Sequence, residues 1–304
     1  MKLAASVWLS SILLTVLILR PPSASAGMTP EEVKAFEGYK EKALKGDPVA
    51  QTILGACYYV GNGVAKNQVE AAKWWRKGAE QGNAFAQSNL GACYRNGEGV
   101  TKDFVQSVSW FRMGAEQGLA DAQYNLGLCY YTSQGVAWDQ IEAAKWFRMA
   151  ADQGNSLAQK NLGACYAKGH GVAKDQVEAA KWIRMAADQG LAEAQHDLGS
   201  CYDKGTGVPE NAVEAVKWWR KAASQGYAKA QAMMGLCYGI GYGVTKDEVE
   251  AYAYYNLAGI ADIQKTRDNL EKTMSAENVL RGQQRTKELQ KEIQAMVAAK
   301  AAGK

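Results

Sequence analysis

From Asp47 to Gly259 the chain alternates between two amphipathic helical registers. In the first, Leu54, Cys57 and Tyr58 recur on the apolar side of a stretch running from Pro48 to Val60. The second starts after Asn67 and is expected to bury Val69, Ala72, Trp74 and Ala79. Residues three or four apart share one helical face, so both stretches read as helices. The pattern returns every 36 residues, six times, as Cys57, Cys93, Cys129, Cys165, Cys201 and Cys237 record. A period of this size predicts an array of helical hairpins in which no unit buries its apolar face alone.

Polar and small residues punctuate each unit. Gly61 and Gly63 end the first helix, since glycine takes positive φ without strain, and Val64 is expected to plug the loop into the core. Asn67, Asp103, Asp139, Asp175, Asn211 and Asp247 are N-caps of the second helix. Three residues on stand Glu70, Gln106, Glu142, Glu178, Glu214 and Glu250, which suggests a capping box in every unit. Gly82 and its equivalents stop the second helix, and the small residues Gly78, Gly114 and Ala150 let the next hairpin lie close. Gly55, in mid-helix, costs up to about 1 kcal/mol against alanine, which implies that a neighbouring helix backbone approaches there.

The flanks break the period. Residues 1–26 read as a secretion signal: Lys2, an apolar run from Leu3 to Leu19, Pro21-Pro22, then Ala24-Ser25-Ala26 with cleavage after Ala26. The run is at the short end for a membrane span, so a cleaved signal, a periplasmic or secreted product and no stable span afterwards are expected. Residues 29–46 open on Thr29-Pro30-Glu31-Glu32, a capping box, and align with a second helix, making a half-repeat cap. Residues 47–260 hold the six repeats. Residues 261–304 read as two cap helices and a fraying tail, with Val279, Leu280, Leu289, Ile293 and Met296 near the side that covers repeat six.

Repeat four carries the fullest version of the unit: Ala158-Gln159, Leu162-Gly163, Tyr166, Gly169-His170-Gly171-Val172, Lys174-Asp175, Glu178-Ala179, Trp182 and Gly190. This string resembles the Sel-one-like repeat, a relative of the tetratricopeptide repeat. Departures are local: Ser133 for the first loop glycine, Trp138 for the loop lysine, Pro209-Glu210 in the fifth loop and Tyr254 for tryptophan. The resemblance implies an all-α fold, a right-handed alpha-alpha superhelix (solenoid) of six hairpins with cap helices at both ends. It also implies that first helices line a concave surface and that the protein acts as an adaptor.

At 304 residues, 47% hydrophobic and 22% charged, with a net charge of +4, the composition is that of ordinary globular material. No basic stripe with interleaved aromatics points to nucleic acid. One cysteine per repeat argues against disulfides, because equivalent points on packed helices lie about 8–10 Å apart and a disulfide needs Cα atoms within about 7 Å. The thiols are expected to be buried and free. No Cys-x-x-Cys pair exists and the only histidines are His170 and His196, so no metal or other cofactor is expected. Motifs for serine acylation, zinc proteolysis and phosphate cradling are absent from the sequence. His170 reads as an exposed loop residue, and the tryptophan and methionine columns (Met113, Met149, Met185) as packing.

Function is therefore expected where the repeats differ from one another. On the first helix, the column Thr52, Ser88, Tyr124, Lys160, His196, Ala232 varies, as does Tyr59, Arg95, Tyr131, Ala167, Asp203, Gly239. Spacings of 52, 56 and 59 share a face, so Tyr59, Arg95, Tyr124, Tyr131, Lys160, His196 and Asp203 are candidate groove residues for a protein or peptide partner. The reading is an exported, monomeric, non-catalytic scaffold. Two alternatives come with the resemblance. Cysteine-rich relatives are associated with penicillin binding and β-lactam hydrolysis, but they pair two cysteines within a repeat. An adaptor of the endoplasmic-reticulum lumen shares the signal and the repeats, but no retention tail ends this sequence.

Overall fold

The computed structural model describes residues 28–301. The secretion-signal reading of residues 1–26 lies outside them, as do the last three residues. Among the described residues every regular element is a helix, and the chain divides into two compact units, one ending at Gln153 and one beginning at Gly154. In the first, α1 (Pro30–Leu44) precedes the hairpins α2 (Pro48–Val60) with α3 (Gln68–Glu80), α4 (Ala84–Asn96) with α5 (Phe104–Glu116), and α6 (Ala120–Thr132) with α7 (Gln140–Asp152). The second holds α8 (Ser156–Lys168) with α9 (Gln176–Asp188), α10 (Ala192–Lys204) with α11 (Ala212–Ser224), and α12 (Ala228–Ile240) with α13 (Glu248–Ala258). It closes with α14 (Ala261–Thr273) and α15 (Ala276–Ala301).

Within each unit the cores are shared between hairpins. One cluster joins Ala71, Ala72, Trp75 and Ala79 of α3 to Ala86, Leu90 and Cys93 of α4. Another joins Ile183, Ala186 and Ala187 of α9 to Ala194 and Leu198 of α10. The leucine column Leu54, Leu90, Leu126, Leu162 and Leu198, with Met234 in the sixth repeat, is fully buried, and each such side chain contributes about 1.5–3 kcal/mol.

The mid-helix glycine has a different cause from the one expected. A Cβ at Gly55 would stand 2.6 Å from the Trp75 ring, at Gly127 2.7 Å from Phe147 and at Gly199 2.5 Å from Trp219. In five repeats the neighbour is an aromatic ring of the hairpin's own second helix. At Gly163 it is the Ile183 side chain (2.7 Å), with the Ala179 backbone carbonyl at 3.0 Å, and there the expected backbone approach does occur. The seat of the ring also corrects the buried set of the second helix: Trp75 is 5% exposed, whereas Trp74 is half-buried and Val69 is 50% exposed. Val69 falls on the turn shared with Lys73, Arg76 and Glu80, opposite the stripe Ala71, Ala72, Trp75, Gly78 and Ala79. The methionine column is likewise on the open side, with Met113 43% exposed.

The second loop glycine explains how hairpins interlock. Gly99 (φ +70) and Gly207 (φ +71) have no room for a Cβ because the first turn of the preceding second helix, at Gln68 and Gln176, presses on them through its backbone carbonyl. Two polar ladders add to this. Buried Gln87 donates from Nε2 to the Ala79 carbonyl of the preceding hairpin (3.2 Å) and accepts from Gln117 of its own (2.7 Å). Gln123 does the same with Ala115 and Gln153. Arg76, Arg112, Arg184 and Arg220 each donate to the tyrosine hydroxyl of the following first helix, at 2.5–3.0 Å.

Capping boxes do not form in the repeats. Asn67 accepts from the Val69 and Glu70 amides, but its own N–H donates to the Tyr58 carbonyl (2.8 Å), so no donor is left for Glu70. Glu70 pairs with Lys73 instead (2.7 Å). The box at Thr29 is complete. At the C-terminal side of the first helix, Ser133 takes the left-handed seat (φ 56) that glycine fills in the other repeats. Replacing Ser133 with glycine is expected to stabilise the protein by about 0.5–1 kcal/mol, read as a higher urea midpoint with unchanged slope.

All six cysteines are free, five of them buried and Cys201 half-buried. Burial pushes the thiols up from an ordinary 9.0, Cys57, Cys129, Cys165 and Cys201 to about 11 and Cys93 and Cys237 to about 12. The unfolded chain therefore releases these protons first. Their contribution is intact below pH 9 and is lost as pH rises from about 9 through 11 to 12. A melting temperature that falls over this alkaline window, and less steeply in a Cys93→Ala/Cys237→Ala variant, is expected from calorimetry.

At the C-terminal end, α15 packs on α13 with Gly282 against the Tyr252 ring and Thr286 beside Asn256. The two registers rise together, so α15 runs parallel to α13. A repeat's first helix runs the other way, since Gln87 meets Ala79 while Gly99 meets Gln68. The cap thus covers the sixth hairpin without continuing the pattern. Of its expected apolar face, Leu289 is buried, but Leu280 is 68% and Met296 43% exposed.

Candidate functional site

The residues that differ between repeats sit on the first helices, at one-repeat intervals within each unit. In the 52 column, Thr52, Ser88 and Ala232 are buried (2%, 8% and 9% exposed), which removes them from any open face. Thr52 Oγ1 donates to the Pro48 carbonyl, an ordinary way for a helix to hide a hydroxyl. The seven larger candidates are all half-buried.

Their partners are mostly in the following repeat. Tyr59 donates its hydroxyl to Glu98 Oε2 (3.0 Å) and lies on the Trp75 ring. Arg95 donates to Asn125 Oδ1 (2.7 Å) and covers the face of Phe111. Tyr124 and Tyr131 are brought together on Phe147, with ring centroids 6.0 and 6.3 Å away. In the second unit Lys160 pairs with Glu193 (2.5 Å). His196 meets Asp197 (3.3 Å) and the Tyr227 ring (5.4 Å). Asp203 accepts a hydrogen bond from the Tyr242 hydroxyl.

Two of these bridges are the same pair of positions with the chemistry exchanged: Tyr59 with Glu98, and Asp203 with Tyr242. The accepted bond to Asp203 and burial hold Tyr242 up at about 12, and burial followed by the Glu98 bond raises Tyr59. Both phenols stay protonated donors at neutral pH. Sequence reasoning named one member of each pair and missed the other. The missed column runs Asn62, Glu98, Gln134, His170, Thr206, Tyr242, and its variability was the available signal. His170, in that column, is half-buried and not exposed.

Between repeats two and three the same positions are Arg95 and Gln134, and no bond closes the gap. A cavity of about 380 Å³ opens there, floored by Leu128 and Cys129 and edged by Arg95, Lys102, Thr132 and Gln134. Among the described residues no group of three His, Cys, Asp or Glu side chains is arranged to hold a metal ion, and no helix is long and apolar enough to cross a membrane.

The Sel1 repeat profile matches six consecutive stretches, residues 48–83, 84–119, 120–155, 156–191, 192–227 and 228–262. Among solved structures the chain is similar to a protective antigen of uropathogenic Escherichia coli strains that displays an SLR fold. Identity is 34%, the TM-score 0.74, and the match covers 88% of this chain and 57% of that one. It is also similar to a Sel1 repeat protein from Oxalobacter formigenes, at 34% identity and a TM-score of 0.70, over 76% of this chain and 92% of the other. The chain thus spans little more than half the length of the Escherichia coli protein. No curated protein matches it.

Proposed function

The chain belongs to the Sel1 repeat family, and from that premise we propose that it is an exported, non-catalytic scaffold that holds a protein or peptide partner along its first-helix face. Sel1 repeats are protein-interaction modules on an all-α solenoid fold. The observation that carries the reading is a contrast within each unit. The buried leucine and glutamine columns, the loop glycines and the Asn or Asp caps recur with few exceptions (Met234, Ser133). The first-helix positions 59, 95, 124, 131, 160, 196 and 203 carry tyrosine, a cation, histidine or a carboxylate in turn. A frame that repeats and a half-buried row that does not is the arrangement of a surface read by a partner. Tyrosine and arginine, frequent anchors of binding energy, occupy four of the seven positions.

Export rests on the signal-like residues 1–26, and similarity to a protective antigen supports it. The mature protein then starts at Gly27, a mass readable by intact mass spectrometry, and is a monomer. The binding face is tested with wild-type protein and a Tyr124→Ala/Tyr131→Ala variant, both checked for helicity and melting temperature. Each is used to capture partners from the native envelope and secreted fractions. The variant is expected to lose a partner the wild type retains; identical capture by both removes this face from consideration.

A further inference from the structure

The pair of positions that bridges neighbouring repeats occurs twice within the first unit, and only one of the two is closed. Tyr59 has its carboxylate in Glu98 (3.0 Å). Arg95, one repeat on, has an amide oxygen, Asn125 Oδ1, and no carboxylate. Its guanidinium carries five N–H donors, of which Asn125 takes one. Lys102, on the same cavity wall, has its ammonium over the Phe104 ring (4.7 Å) and likewise pairs with no carboxylate.

The acidic residues adjacent in sequence are engaged elsewhere. Glu98 accepts from Tyr59, and Asp103 accepts the Val105 and Gln106 amides at the start of α5. The cavity under the C-terminal helix is the opposite case, because its Arg285 is tied to Glu250 (2.7 Å) and Glu292 (3.1 Å). The gap between repeats two and three therefore has two cations, an amide donor from Gln134, an apolar floor and no carboxylate on its lining. The Thr132 hydroxyl is spent on the Leu128 carbonyl (2.8 Å). About 380 Å³ is room for one side chain or one chain end.

We propose that this cavity binds a carboxylate of an acidic peptide, held by Arg95 and Lys102 while its methylenes rest on Leu128. The inference rests on the peptide-binding reading of the first-helix face and names its chemistry. A planar carboxylate matches the guanidinium fork through two parallel N–H bonds, and Lys102 adds a point charge.

The test uses the whole mature protein and fluorescence anisotropy with three labelled hexapeptides: hexaglutamate, hexaglutamine, and one carrying phosphoserines in place of glutamates. Hexaglutamate is expected to bind at low salt and weaken as salt rises, and hexaglutamine to show no binding. Arg95→Gln and Lys102→Gln are each expected to weaken hexaglutamate binding at least tenfold, and Lys287→Gln, at an exposed lysine of α15 outside the first-helix face, to leave it unchanged. Lys102 is exposed, so its variant keeps the test open if Arg95→Gln fails to fold. No binding of hexaglutamate, binding by both variants as tight as by the wild type, or binding of the phosphopeptide alone overturns the proposal. Partner capture lost in Tyr124→Ala/Tyr131→Ala but kept in Arg95→Gln and Lys102→Gln sinks only this carboxylate site; capture kept in all of them sinks the groove reading too.

Discussion

Replacing Gly99 with alanine should cost the protein about 2–5 kcal/mol, adding a left-handed backbone penalty for an L-residue to an overpacked contact. The residue sits at φ +70, and a Cβ there would run into the Gln68 carbonyl, which is backbone and cannot swing away. Gly97, two residues earlier, is the built-in comparison. It is also left-handed (φ +79), but a Cβ there would meet the Lys102 Cβ at 3.3 Å, a contact that a shift of a few tenths of an ångström relieves, whereas the Gln68 carbonyl oxygen stands far closer at Gly99. Gly97→Ala should therefore show only the conformational part, about 1–2 kcal/mol. Urea unfolding of the two variants separates the effects. Equal losses would mean that Gly99 is needed for its dihedral alone and that the loop does not bear on α3.

Much of this frame was legible in the residues. The 36-residue period, the Asn or Asp before each second helix and the glycines after each first one set limits that agree with α2 (Pro48–Val60) and with the start of α3 at Gln68. The end of α3 falls one residue early, because Gln81, and not Gly82, is its C-cap. Periodicity did not decide between adjacent tryptophans. Trp74 and Trp75 point about 100° apart, and which of them is buried depends on the bare backbone at Gly55 in a different helix. The capping box failed for a similar reason: the Asn67 N–H is consumed by Tyr58, nine residues earlier in the hairpin. For the candidate site, the first-helix members of each bridge could be read from their variability. Their partners Glu98, Asn125, Glu193 and Tyr242 lie one repeat away, a distance that only the packing of hairpins closes.

Gln123→Leu should be nearly as damaging as the glycine change, at about 2–4 kcal/mol. Gln123 is 1% exposed and sits in the middle of a two-bond relay. Its Nε2 donates to the Ala115 carbonyl (3.1 Å), and its Oε1 accepts from Gln153 (2.8 Å). Leucine fills the space but leaves a buried carbonyl without a donor and the Gln153 amide without its acceptor, each costing about 1–3 kcal/mol. Gln153 is exposed and can turn to water, so the Ala115 carbonyl bears most of the loss. A Gln123→Leu/Gln153→Leu double variant should cost little more than Gln123→Leu alone, which thermal melts of the two proteins can establish. Strict additivity would mean that the two glutamines act independently.

Backbone hydrogen exchange of Gly99→Ala in mild urea bears most directly on whether each hairpin depends on its neighbour. The expected result is faster exchange on both sides of the broken contact, in α3 of the preceding hairpin as well as in α4 and α5. Faster exchange confined to residues 97–103, with α3 as protected as in the wild type, would show that the hairpins stand alone.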